Sequence, residues 1–450
     1  MCSQKKMFKQ RRLNNRIIRK EICMVFHEKV KKEERMNLKR NIVLLLILLI
    51  PAISSAQMTV IKAGRLIDPK EATAQENVLI VIKGNRICNV GPDIAIPEDA
   101  KIIDLSDYAV LPGMFDCHTH LCLMMKAKGT EGLTFLADYL LYTTADKALQ
   151  GVENARSYLE SGFTTIRDVG NAGHFADIAL KRAINNGKFP GPNTLVTGKI
   201  IAPMGGQQHV NFEHLDYPKI EYIEADTRDE MRKGIRLNLH LGADWIKIVI
   251  DDQRYIYSAE DIRFIVEEAA QAGVKVAAHC ATDRGARNAI EGGLASIEHG
   301  FFMSDESLKM AKDKGIWLCG TDFSREVWDV YGAPQIYPRI VDRLKRAYKI
   351  GVKMAFGSDI VVEIPGHTRG SAALTLLDTW LDAEVPADDI LRALTTNAAE
   401  MLDMAKIRGR ISSQMRADII AVPENPLENI LTLRDVKFVM KDGTIYKNET

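Results

Sequence analysis

From Met58 to Leu105 apolar and polar residues alternate in short segments broken by turns. Examples are Thr59-Val60-Ile61, Val78-Leu79-Ile80-Val81-Ile82 and Lys83-Gly84-Asn85-Arg86-Ile87. A period of two bounded by turn residues predicts strands. The far end repeats the pattern in Ala417-Asp418-Ile419-Ile420-Ala421-Val422 and Val436-Lys437-Phe438-Val439-Met440, followed by the turn Lys441-Asp442-Gly443. Two β blocks bracketing a long middle predict one small β-sandwich built from both chain ends, 57–108 and 406–450.

Between them, over 109–405, the pattern changes. Nearly all-apolar runs at 109–115, 163–169, 193–198, 243–250, 274–280, 294–298, 315–319 and 352–358 are separated by helical stretches such as 148–161, 259–272 and 304–314. Continuous apolar runs are what parallel strands covered on both faces require. Eight of them in roughly 250 residues predict an α/β fold, a (β/α)8 TIM barrel. An open doubly wound sheet is the rival. It lacks its glycine-rich fingerprint here, and polar residues end too many strands for a single switch-point crevice.

The first 56 residues follow neither pattern. Met36-Asn37-Leu38-Lys39-Arg40 is basic, Ile42 to Ile50 is apolar, and small residues Ser54 and Ala56 follow. These are the three parts of a secretory signal peptide, and nine apolar residues fall well short of the ~20 that a membrane-crossing helix needs. The expectation is a signal at 36–56, a mature start at Gln57, a periplasmic or secreted destination and no stable membrane anchor. Residues 1–35 add nothing to that signal and are read as an over-extended reading frame. Residues 1–41 carry 14 Lys and Arg against 4 Asp and Glu, so the overall net charge of +1 hides a leader at +10 and a remainder near −9. An acidic remainder excludes a phosphate-backbone partner such as nucleic acid; a homo-oligomer stays open. Beyond the leader the cysteines are Cys88, Cys117, Cys122, Cys280 and Cys319, an odd number without a close pair, which predicts small buried side chains and no disulfide framework.

In a barrel the carboxyl ends of the strands converge on one site. Here strand one ends in Asp116-Cys117-His118-Thr119-His120, strand five in His279-Cys280, strand six in Ile297-Glu298-His299 and strand eight in Gly357-Ser358-Asp359, while Lys247 interrupts apolar strand four. His118 and His120, two apart on a strand, point to one side. Two imidazoles so placed can share a divalent metal, with His279, His299 and Asp359 supplying further ligands. Without a metal the cluster would leave polar groups unpaired at about 1–3 kcal/mol each. Lys247 either reaches the rim or a carboxylate, or its amine has reacted with CO₂ to give an anionic carbamate that bridges two metals.

These segments resemble the amidohydrolase superfamily, closest to the imidazolonepropionase-like branch with its prolidase-type dipeptidases and carboxypeptidases. The likeness runs from Met58 to about Lys447 and rests on Val110-Leu111-Pro112-Gly113-Met114-Phe115-Asp116-Cys117-His118-Thr119-His120, Thr164-Thr165-Ile166-Arg167-Asp168, Ile246-Lys247-Ile248, Val276-Ala277-Ala278-His279, Ser296-Ile297-Glu298-His299-Gly300 and Gly357-Ser358-Asp359, with Asn397-Ala398-Ala399 and Ala417-Asp418-Ile419-Ile420. It implies two divalent ions, usually zinc: one on His118, His120 and Asp359, the other on His279 and His299, bridged by carbamylated Lys247. Two stretches depart from the usual pattern, Asp251 to Tyr257 and the loop Pro203 to His209, and both bear on substrate choice.

The chemistry then expected is hydrolysis of a C–N amide bond in a small acyl-amino acid or dipeptide (Xaa-Pro or carboxypeptidase-like), with opening of a cyclic amide or deamination of a ring amine as the alternatives. Asp359 would serve as acid–base group. His209 and Tyr257 are candidates to stabilise the tetrahedral oxyanion, and Arg254 to hold a substrate carboxylate.

Overall fold

The computed structural model describes residues 57–123, 138, 141–170, 173–207 and 218–450. The first 35 residues, the leader at 36–56 and His209 lie outside the described residues. In chain order the strands are β1 (Met58–Asp68), β2 (Thr73–Lys83), β3 (Arg86–Gly91), β4 (Lys101–Pro112), β5 (Met114–Thr119), β6 (Phe163–Asp168), β7 (Asn193–Val196), β8 (Ile200–Ala202), β9 (Tyr222–Glu224), β10 (Trp245–Val249), β11 (Lys275–Cys280), β12 (Ser296–His299), β13 (Trp317–Cys319), β14 (Ile419–Val422), β15 (Phe438–Lys441) and β16 (Thr444–Asn448).

Both chain ends build one seven-stranded sheet, in the order β16-β15-β14-β4-β1-β2-β3. It curls until β3 meets the approach to β14: Ile87 N–H donates to Met415 O at 2.9 Å and Gln414 N–H to Ile87 O at 2.8 Å. The two layers of the sandwich are therefore halves of one sheet, closed over Ile61, Ile80, Leu105, Val110, Ile419 and Phe438. Closure also covers the β3 edge, which would otherwise present unpaired backbone groups.

The run expected as a strand at 109–115 is divided. Ala109–Pro112 pairs with β14 in the terminal sheet, and the first barrel stave begins at Met114. Apolarity alone does not separate the two, because both halves are buried.

The staves are parallel, in two hydrogen-bonded groups, β5-β6-β7 and β13-β12-β11-β10-β8-β9. Stave three is split into β7 and β8 by Gly198, whose φ of +68° lies in the left-handed region. Asp244 N–H closes the gap between the groups by donating to Val196 O at 2.8 Å. Stave eight, 352–358, forms only an isolated bridge, Leu318 with Met354. Its donors go elsewhere: Phe356 N–H to Ala393 O at 3.1 Å and Ser358 N–H to the Asp116 carboxylate at 2.9 Å. It still joins the ring, since Ala355 donates to Leu318 O at 3.2 Å and accordingly Cys117 donates to Phe356 O at 2.9 Å.

Along β10 the two-residue period sorts the side chains. Trp245 packs inside the ring with Phe115, Cys117, Ala277, Cys319 and Ala355, whereas Ile246 and Ile248 join the core shared with the helices. Lys247 shares the parity of Trp245 and so faces inward. Among the described cysteines none is paired; four are buried, and Cys88 is exposed. Among the described residues no helix is long and apolar enough to cross a membrane.

Candidate active site

Strict alternation would send Cys117 and His118 to opposite sides of β5. The structure places both inside. Cys117 packs in the interior cluster, and His118 Nδ1 lies 2.7 Å from Glu298 Oε2 on stave six. A register shift between β5 and β6, from Asp116 to Thr119, supplies the extra residue. Such a bulge re-aims side chains next to functional sites.

Glu298 orients His118. Its Oε1 accepts from Arg167 Nη2 at 2.7 Å and from Ser296 Oγ at 2.6 Å, while Arg167 Nε donates to Cys117 O at 2.7 Å. Burial would raise the Glu298 carboxyl, but the charges of Arg167 and Lys247 outweigh it and keep the group below its ordinary value. With Nδ1 engaged by Glu298, His118 turns Nε2 toward His120 and Asp359. Burial holds this imidazole well below its usual pKa, so it is the neutral form that metals bind.

Nε2 of His118 lies 3.5 Å and Nε2 of His120 lies 3.3 Å from Asp359 Oδ1, and the two nitrogens are 3.3 Å apart. His120 Nδ1 is held 3.2 Å from Gly170 O. His299 Nδ1 lies 3.7 Å from Asp359 Oδ2 and 2.8 Å from Thr321 Oγ1. His299 and Asp359 have φ of +71° and +52°, a left-handed conformation that costs such residues on the order of 1–3 kcal/mol and is concentrated at functional sites. His118, His299 and Asp359 offer ligand atoms within 4.8 Å of one another.

Lys247 lines the same cavity and is 2% exposed. Burial lowers its amine below the ordinary lysine value, against the pull of Glu298 and Asp359. Neutral imidazoles, an ionised carboxylate and a desolvated amine converging on one space fit one or two divalent ions; a hydrogen-bonded network would need more donors than these groups supply.

Residues 109–446 match the amidohydrolase family. The chain belongs to that family. It is similar to a Xaa-Pro dipeptidase solved with methionine in its active site, at 30% identity and a TM-score of 0.79, covering 87% of this chain and 100% of that one. A prolidase solved with N-methylphosphonate-L-proline gives 26% identity and a TM-score of 0.76, over 87% of this chain and 100% of the other. Ochratoxinase from Aspergillus niger is 28% identical over 445 residues, 89% of each chain. Family and donor cluster together make this amidohydrolase a metal-dependent hydrolase of C–N bonds.

The amidohydrolase cavity has a volume of about 280 Å³. His279, from stave five, enters it as a neighbour of His299, with ring centroids 4.4 Å apart. Its Nε2 lies 2.9 Å from Asp252 Oδ1 and its Nδ1 3.2 Å from Gln207 Nε2. The loop beyond His279 is tied down by Asp251, which accepts from Ala281 N–H at 2.9 Å and Thr282 N–H at 2.7 Å. Gln207, Glu221, Tyr222 and Asp252 form a polar wall, and Phe301, Phe323 and Tyr331 an aromatic one. Strand periodicity marks none of the polar four: Gln207 and Asp252 lie in loops, Glu221 ends the short helix Pro218–Glu221, and Tyr222 opens the three-residue β9, too short to show a period.

Two expectations are corrected. Tyr257 is buried, its hydroxyl donates to Ala225 O at 2.7 Å, and it does not line the cavity. Burial, with Asp226 nearby, pushes that phenol up, so it stays a neutral donor, but its proton is committed to Ala225 O rather than to an oxyanion. Arg254 is exposed and also lies off the cavity lining. Both follow stave four, where the chain turns outward before the helix Ala259–Ala270, so proximity in sequence to Lys247 does not bring them to it.

Proposed function

We propose that the enzyme hydrolyses the amide bond of a small dipeptide or acyl-amino acid carrying an apolar group. One observation carries this reading: the donor cluster lies in a cavity of about 280 Å³ walled on one side by Phe301, Phe323 and Tyr331. That volume suits a small molecule and leaves no room for a folded chain. Similarity to a Xaa-Pro dipeptidase over that protein's whole length supports the same class.

Two divalent cations, zinc by the nitrogen-rich donor set, held by His118, His120 and Asp359, by His279 and His299, and by Lys247 as a carbamate between them, would polarise the scissile carbonyl and supply a nucleophilic water near neutral pH. Asp359 accepts the proton of the attacking water and passes it to the leaving nitrogen. Its carboxyl is kept ionised because His118 and His120 outweigh the effect of burial. Glu298 and Arg167 hold His118 in one tautomer, and the aromatic wall excludes bulk water. The reading also places the enzyme outside the cytoplasm, on the strength of the basic, apolar and small-residue segments at 36–56; an isolated protein beginning at Gln57 is the expected product.

The deciding experiment is a kinetic screen of the metal-loaded protein against dipeptides, N-acyl amino acids, cyclic imides, imidazolones and ring amines. Faster turnover of the cyclic compounds, or ammonia release from ring amines, would overturn the substrate class.

A further inference from the structure

Among the described residues lining the cavity, Glu221 is the carboxylate without an assigned role. Asp359 belongs to the histidine cluster, and Asp252 is engaged by His279 and Gln207. Glu221 is 4% exposed, and its Oε2 has no hydrogen-bond partner. It belongs to none of the clusters of metal-type ligands among the described residues. Burial, reinforced by the charge of Asp138, pushes its carboxyl up to about 8, against the opposing pull of the Tyr222 hydroxyl and the Lys247 amine. A buried carboxylate with an unused oxygen is destabilising until a cation reaches it.

The walls around it sharpen the requirement. Lys247 is the only lysine or arginine among the described residues lining the cavity, so the lining offers a cationic ligand more than it offers an anionic one. Tyr222 donates to Gln207 Oε1 at 3.1 Å, and Gln207 Nε2 to Asp252 Oδ2 at 2.6 Å. That chain of bonds occupies Gln207's donors and leaves acceptors on this wall. Glu221 immediately precedes β9, which pairs with β8 of stave three, whereas Phe323 and Tyr331 follow stave seven, four positions away around an eight-stave ring. An ammonium group and an apolar side chain can therefore be held at separate places about the central cluster.

We propose that Glu221 binds the free α-ammonium group of the substrate's first residue, making the enzyme selective for unblocked dipeptides over N-acylated amino acids. Glu221 lines the cavity, and an ammonium entering there brings three donors and a charge to its carboxylate, a charge-assisted bond stronger than a neutral one. The inference rests on the amide-cleavage reading and narrows it. Its rival is that Glu221 merely balances the charge of Lys247. Under that rival, removing the carboxylate would change metal content and stability and would affect all substrates alike.

The test compares leucyl-alanine with 4-methylpentanoyl-alanine, the same compound with its amino group replaced by hydrogen. Wild-type kcat/KM is expected to fall on the order of 10²-fold when the amino group is lost. Glu221→Gln should bring leucyl-alanine down to the level of the des-amino compound, mainly through KM, with that second compound and the zinc content unchanged. Glu221→Asp keeps the charge and should retain part of the preference, which also serves if the glutamine variant does not fold. Equal kcat/KM for both compounds in wild type, or an equal loss on both in Glu221→Gln, would overturn the proposal. Calorimetric titration with a phosphinic dipeptide analogue, with and without its amino group, separates the two readings. If neither amide is hydrolysed, the amide-cleavage reading fails. Tighter binding of the amino analogue to wild type than to Glu221→Gln then supports the ammonium site, and equal binding removes it.

Discussion

Oε2 of Glu298 lies 2.7 Å from Nδ1 of His118, and its other oxygen takes a 2.7 Å bond from Nη2 of Arg167. One carboxylate thus sets the tautomer of a metal-type ligand and neutralises a guanidinium that is itself fully buried. The two duties are separable. Glu298→Gln should weaken metal binding by about 10–100-fold, as loss of an orienting partner does. It should also destabilise the fold by about 3–5 kcal/mol, because Arg167 stays buried without a counter-charge. Adding Arg167→Met should recover part of the stability and none of the metal affinity. Chelator competition and thermal melting read the two effects. A Glu298→Gln enzyme holding metal like wild type would remove Glu298 from the role given to it.

Gly357 marks where stave eight presses on stave one. A Cβ there would lie 2.2 Å from Cys319 Sγ and 2.8 Å from His118 Cβ. Gly357→Ala should cost about 1–3 kcal/mol through overpacking and lower metal affinity by displacing His118. Cys319→Ala in the same chain should relieve the sulfur clash and restore melting temperature, leaving the His118 clash to be read in metal affinity. A double-mutant cycle measures the coupling. Additive effects would show that Cys319 yields freely.

Much of this site can be read from strand endings. His118, His120, His299 and Asp359 converge because each closes a parallel stave, and a barrel brings those ends together whatever the loops do. The partners that orient them are another matter. Glu298 adjoins His299 in sequence, yet its function depends on facing stave one across the ring and on a bulge that alternation cannot foresee. Gln207 and Asp252 reach the cavity from loops and Glu221 from the end of a four-residue helix, where no period constrains direction. Tyr257 and Arg254 fail for the same reason: residues beyond a strand inherit its place along the chain but not its aim. At the chain ends, the apolar stretch across Pro112 conceals a change of sheet, since both sheets bury it.

Asp283 gives the fold a pH dependence that can be read apart from catalysis. Burial would raise its carboxyl, but bonds from Ser307 Oγ at 2.5 Å, Ser304 N–H at 2.8 Å and Arg287 Nε at 2.9 Å hold it far below the ordinary aspartate value of 3.8. A group depressed on folding stabilises the protein above its unfolded pKa, and the contribution is lost as pH falls through the folded value. Between pH 7 and about 4 the wild type should therefore exceed Asp283→Asn in melting temperature by a constant margin, and the margin should shrink only below that. Metal-free protein serves for the measurement. A margin that vanishes already near pH 6 would mean that other groups set it.

Lys247 supports the most consequential prediction. Its amine is desolvated, lowered in pKa by burial, and surrounded by metal-type ligands. A neutral amine can attack CO₂, forming a C–N bond and releasing a proton to leave an anionic carbamate with two oxygen donors. A protonated amine cannot, so the burial that disfavours a lysine charge favours this product. Protein stripped by chelator and kept free of CO₂ should recover little activity with zinc alone and most of it when bicarbonate is also present. Lys247→Met should lose more than about 10²-fold in kcat/KM, beyond what loss of an orienting partner alone would cause, and bicarbonate should not help it. Elemental analysis should find two ions in the reconstituted wild type and fewer in the variant. Full recovery of the wild type without CO₂ would show that Lys247 acts as an amine, and the second ion would then need another bridge.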